Sequence, residues 1–288
     1  MFMDVFFGSK QVYGIYQGDK AIHGIMIDSK LYPGGIGMTW ATRPSSGPDD
    51  WWPLDSWQKV YYNHIVHSGY GITLFGAQAY HTTVSAGGVF RVGDWSSKLV
   101  EGWTLAPVIG SAINTTVEPG GKFFIGGEEG IGFAENVTIS SGGTMYVYSF
   151  CTATHITAAE GAIIQITVAP NTYIQGNYNG SAFEMKDAFI SGYTINSSGG
   201  MDISSGGTAN STTIGYRGSM NISSGGTANS TTINLGGKMY ISSGGTANST
   251  TINSGGYMEI SSGGTALNVT SKNGAQLTVF EGAHVTYT

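Results

Sequence analysis

Apolar and polar residues alternate in short runs over most of the chain, in the frame β-x-Gly-Gly-β. "TTVSAGGVFRV" (82–92), "NTTVEPGGKFFI" (114–125), "VTISSGGTMYV" (137–147) and "TINSSGGMDI" (194–203) all keep it. From residue 201 the frame becomes regular. Aligned on Met201, Met220, Met239 and Met258 it gives four units of nineteen, and "ISSGGTANSTTI" recurs at Ile203, Ile222 and Ile241. Apolar residues two apart follow the period of a strand rather than that of a helix. A Gly-Gly pair and a second glycine-containing turn break each unit twice, and Thr and Ile favour strands. A fixed period near twenty predicts stacked coils, because one unit cannot bury its apolar face alone.

The prediction is an all-β chain dominated by a β-solenoid of about nineteen residues per coil. The Met column, the Ile203/Ile222/Ile241/Ile260 column, the Ile214/Ile233/Ile252 column and the Ala209/Ala228/Ala247/Ala266 column should face inward. Equivalent residues should stack roughly 4.8 Å apart. Asn210, Asn229 and Asn248 form a further column, either an amide ladder or solvated turn positions. The solenoid is assigned to residues 82–288, with degenerate coils to about 193 and regular ones from about 194. That span predicts about eleven coils and a rod of roughly 50 Å. "GAIIQITV" (161–168) alternates like a strand within the irregular stretch 144–190.

The first 81 residues depart from this pattern. Lys10, Lys20 and Lys30 each follow a turn and precede an alternating apolar stretch, which predicts a small β-meander over 1–35. Residues 36–81 hold Trp40, Trp51, Trp52 and Trp57 among Pro and Gly, followed by Tyr61 and Tyr62. This aromatic stretch fits a cap for the exposed edges of the first coil, a stacking platform for a sugar ring, or a subunit contact.

Composition agrees with many short strands and tight turns. The 288 residues include 46 Gly, only 10% are charged, and 40% are apolar, enough to build a core. A net charge of −6 leaves no electrostatic footprint for nucleic acid or an anionic membrane. No run approaches the ~20 apolar residues of a membrane helix, and the first residues do not read as a secretory signal. The single cysteine, Cys151, excludes an internal disulfide and reads as a buried hydrophobe.

Catalytic and metal-binding patterns are sparse. His64 and His67 stand three apart without a convincing further ligand, so no metal and no cofactor are expected. Asp49–Asp50 and Glu128–Glu129 are adjacent pairs, which a strand sends to opposite faces, a poor arrangement for a glycosidase. Asn-x-Ser/Thr triplets at Asn114, Asn136, Asn210, Asn229, Asn248 and Asn268 arise naturally in such a repeat and are read as incidental. No enzymatic activity is expected.

"SSGGTANSTTINSGGYM" resembles the AIDA-type repeat of autotransporter adhesin passengers, closely over 194–266 and loosely over 82–193. The resemblance implies a right-handed β-helix displayed on a bacterial surface, whose Ser/Thr-rich exterior could carry O-linked sugars. The ten-residue steps at the front resemble "GDK-x-I/V" modules of phage and prophage structural proteins, which implies docking through Lys10, Lys20 and Lys30. Together these give a leading expectation of a non-enzymatic virion fibre or decoration protein. It would be anchored to other virion proteins or to identical subunits, for example as a trimer, and would project toward a cell-surface glycan. The alternatives are a bacterial cell-surface adhesin of autotransporter-passenger type and a carbohydrate-cleaving tailspike.

Overall fold

The computed structural model describes residues 2–7, 10–17, 20–21, 25–27, 30–32, 53–54, 60–63, 65–69, 71–74, 78–93, 109–127, 130–196 and 198–288. Every regular element among them is a strand, and no helix there is long and apolar enough to cross a membrane. Lys10, Lys20 and Lys30 each open a strand of a five-stranded antiparallel meander.

The rest is a β-solenoid. One flank is an eleven-stranded parallel sheet that begins at Pro53–Leu54 and ends at Gln276–Val279. In the regular part the register is one repeat per rung: Met201 pairs with Met220, Met220 with Met239 and Met239 with Met258. The column continues downward through Ile166, Val147, Ile125, Val92 and Leu74, so the degenerate coils keep the same core. All four columns assigned to the interior are buried, with the Met column at 0% exposure.

Paired strands reach back into the stretch 36–81, to Pro53–Leu54, Val60–Tyr62, Ile65–Val66 and Gly71–Leu74. After residue 82 there are fewer rungs on this flank than the eleven expected, because part of the chain leaves the coil path. Tyr173–Tyr178 and Ser181–Lys186 form an antiparallel hairpin, and the latter pairs antiparallel with Phe189–Ser191. The next rung on the eleven-stranded flank therefore joins Ile163–Val168 directly to Gly200–Ile203.

The two glycines of each Gly-Gly pair have different jobs. Gly225 sits at φ 75°, which a side chain disfavours. A Cβ on Gly226 would lie 2.5 Å from the carbonyl oxygen of Ile203 in the rung below. The turns are themselves stitched along the axis: Gly206 N–H donates to Gly225 O at 3.0 Å, and Gly225 N–H to Gly244 O at 2.9 Å.

The asparagine column is an amide ladder. Asn229 Nδ2 donates to Asn210 Oδ1 and Asn248 Nδ2 to Asn229 Oδ1, both at 2.8 Å. A second ladder links Asn253 to Asn234 at 2.7 Å.

A third column carries a cost. Thr212, Thr231 and Thr250 point inward just past one corner, and each buried hydroxyl lacks a hydrogen-bond partner. Val269 continues this column one rung above Thr250, and Val137 continues the one begun by Thr115. Replacing Thr231 by Val should therefore raise stability by about 1–2 kcal/mol, the desolvation of an unpaired hydroxyl being relieved without loss of volume. Thermal unfolding of the variant checks this. A lower Tm would mean that the hydroxyl has a partner.

Candidate functional site

Each coil turns a sharp corner on one side through a single residue with positive φ. In the regular coils the corner is Ser211, Ser230, Ser249 or Asn268, at φ 50°, 54°, 56° and 55°. In the degenerate coils it is His81, Asn114, Asn136 and His155, at φ 55°, 59°, 55° and 53°. Asn and His are among the side chains that best tolerate this backbone region. The residue after the corner points inward, and the next points out. That outward position is Thr83, Thr116, Thr138 and Thr157 on successive rungs.

The longer corner side chains and the threonine column enclose a cleft of about 400 Å³, lined throughout by imidazole, amide and hydroxyl groups. Asn136 Nδ2 donates to Asn114 Oδ1 at 3.1 Å, bridging two rungs. His155 Nδ1 lies 3.8 Å from a Glu135 carboxylate oxygen at the rim. The bond between the asparagines engages the Asn136 donor and the Asn114 acceptor. The Asn114 amide hydrogens and the Asn136 carbonyl are left to face solvent or a ligand.

Sequence reading missed this site. Its signal is the frame "YHTTV", "INTTV", "ENVTI" and "THITA", which matches "NSTTI" of the regular repeat with His or Asn in place of the corner Ser. The Asn114 and Asn136 triplets read as incidental thus mark two corner positions of the cleft.

Of the residues singled out beforehand, Trp40, Trp51, Trp52, Trp57 and His64 lie outside the described residues. Tyr61 and Tyr62 fall on a strand that pairs with Gln78–Tyr80. His67 is exposed. Among the described residues no group of three His, Cys, Asp or Glu side chains could hold a metal ion.

Outward aromatic residues do occur on the solenoid, and one group of them is stacked along the rungs. Phe124 and Tyr146 stack at 4.3 Å with rings 2° apart, and the Arg91 guanidinium lies 4.0 Å over Phe124. Their faces lie along the rung direction, so the ladder resembles core packing turned outward more than a stacking platform.

Cys151 is buried, and burial pushes its thiol up to about 11. Its sulfur accepts from Gly132 N–H at 3.3 Å and lies 3.3 Å from Ser149 O. At neutral pH the thiolate, the only reactive form, is scarcely populated. Iodoacetamide should leave Cys151 unmodified in the native protein and alkylate it fully in denaturant, read by intact mass. Rapid native labelling would contradict the buried placement.

No protein family and no curated protein matches the chain. Among solved structures it is similar to the crystal structure of a TibC-catalysed, hyper-glycosylated TibA fragment. The identity is 26%, over 80% of this chain and 92% of that one, with a TM-score of 0.33.

Proposed function

We propose that this chain is a non-enzymatic, adhesive β-solenoid displayed on a bacterial cell surface, of the autotransporter-passenger type. The observation that carries the reading is the stack of coils, kept in register on either side of the hairpin, with a hydroxyl- and amide-rich exterior. Such a rod is a stiff spacer with few charged or large aromatic groups from which to build a protein–protein hot spot. Hydrogen-bonding groups in repeated columns suit a polyhydroxylated ligand. The AIDA-type repeat over 194–266 points the same way.

Two other readings receive less support. A virion fibre rests on the three lysine-led steps of residues 1–35. A tailspike hydrolase needs a pair of opposed carboxylates, whereas the cleft lining holds none.

The test is to express the chain in its native cells, probe intact cells with antibody before and after protease shaving, and score attachment to mucin-coated surfaces. Surface labelling together with attachment lost on deletion of the gene is the expected result. Recovery of the chain in released virus particles, or reducing ends liberated from polysaccharide by the purified protein, would replace this reading with one of the other two.

A further inference from the structure

We infer that the corner cleft is a glycan subsite that takes a neutral, linear oligosaccharide lying along the solenoid axis. This deepens the adhesive reading and rests on it for its biological setting, while the binding itself is separately testable.

Chemistry gives the ligand class. The corner column offers imidazole nitrogens and amides that both donate and accept, and the threonine column offers a hydroxyl beside a methyl on every rung. A sugar presents hydroxyls that need paired donors and acceptors, together with C–H faces that pack on methyl groups. Facing columns of such groups satisfy both. The lining contains no Lys, Arg, Asp or Glu, which disfavours a strongly acidic or basic ligand. A volume near 400 Å³ lies within the ordinary range for small-molecule sites.

Geometry gives the orientation. His81, Asn114, Asn136 and His155 occupy four successive rungs, so an imidazole or amide beside a threonine recurs about every 4.8 Å over roughly 14 Å. A linear glycan is likewise a repeat of rings, and one ring with its linking oxygen is of similar length to a rung.

The fold itself does not demand these side chains. Ser211, Ser230 and Ser249 turn the same corner with φ 50–56°. Serine, asparagine and histidine all turn this corner, so the bend alone does not require imidazole and amide groups at these four positions.

That equivalence supplies the variant. In the full chain, His81→Ser, Asn114→Ser, Asn136→Ser and His155→Ser combined make the degenerate corners identical to the regular ones. Binding is measured by calorimetry against neutral α- and β-linked gluco-, manno-, galacto- and N-acetylhexosamine oligosaccharides of one to six rings, with oligogalacturonate as the charged comparison. At least one neutral series should bind, with affinity rising to about four rings and then levelling. The variant should bind it at least tenfold more weakly while still unfolding cooperatively with a Tm well above the assay temperature.

No binding of any neutral series by the parent protein, equal binding by the variant, or preference for the charged series would overturn the assignment. A variant that binds no oligosaccharide in this way yet still attaches cells to mucin would leave the cleft assignment standing and move adhesion elsewhere on the chain. Loss of surface display with oligosaccharide binding intact would instead remove the adhesive reading and keep the cleft.

Discussion

Ile222→Asp is expected to destabilise the protein by about 5 kcal/mol or more, enough to melt the regular coils. Ile222 is fully buried and pairs with Ile203 below and Ile241 above. Truncating a buried isoleucine alone costs about 2–5 kcal/mol. A carboxylate there also has no partner, because the neighbours in its column are the side chains of two occupied rungs. Ser224→Asp, two residues on at an exposed turn, should change stability by about 0.5 kcal/mol or less. Chemical denaturation of both variants reads the difference. Parallel behaviour of the two would show that this column does not face the interior.

The second large effect concerns length rather than chemistry. Deleting residues 220–238 removes one nineteen-residue unit and joins Ser219 to Met239, which then takes the inward position that Met220 held. The registers Ser219–Lys238 and Met220–Met239 make the two ends equivalent. This protein should fold cooperatively with a Tm within a few degrees of the parent.

Deleting 220–237 removes one residue fewer and joins Ser219 to Lys238. Side chains alternate faces along a strand, so Lys238 and Tyr240 would turn inward while Met239 and Ile241 turned out. Circular dichroism and limited proteolysis should show that the smaller deletion is far more damaging than the larger. Equal tolerance of both would contradict the strict register.

These two experiments probe what was legible in the sequence. The inward columns could be read because Met201, Met220, Met239 and Met258 repeat with one residue type at one spacing. The degenerate coils were legible only as a frame, since Leu74, Val92, Ile125, Val147 and Ile166 share apolarity but neither identity nor interval. The cleft was hidden for a related reason. His81, Asn114, Asn136 and His155 come together because of a shared backbone angle, and their intervals are 33, 22 and 19 residues.

The antiparallel hairpin at Tyr173–Lys186 was equally invisible. Its strands alternate as the others do, and only pairing direction distinguishes them. The evenly balanced readings of Asn210, Asn229 and Asn248 separate once neighbouring amides are seen to be in bonding distance.

The hydrogen bonds between coils, from backbone, turns and asparagine amides alike, run along the rod. This gives the rod an anisotropic mechanical strength. A tensile load applied down the axis falls on every bond of a coil–coil interface at once, and rupture requires them to fail together. A load applied to a single strand meets one rung at a time and peels it like a zipper. A ligand seated across four corners would divide its pull among four coils. Attachment shared among four coils would therefore resist peeling better than a hold on any single strand.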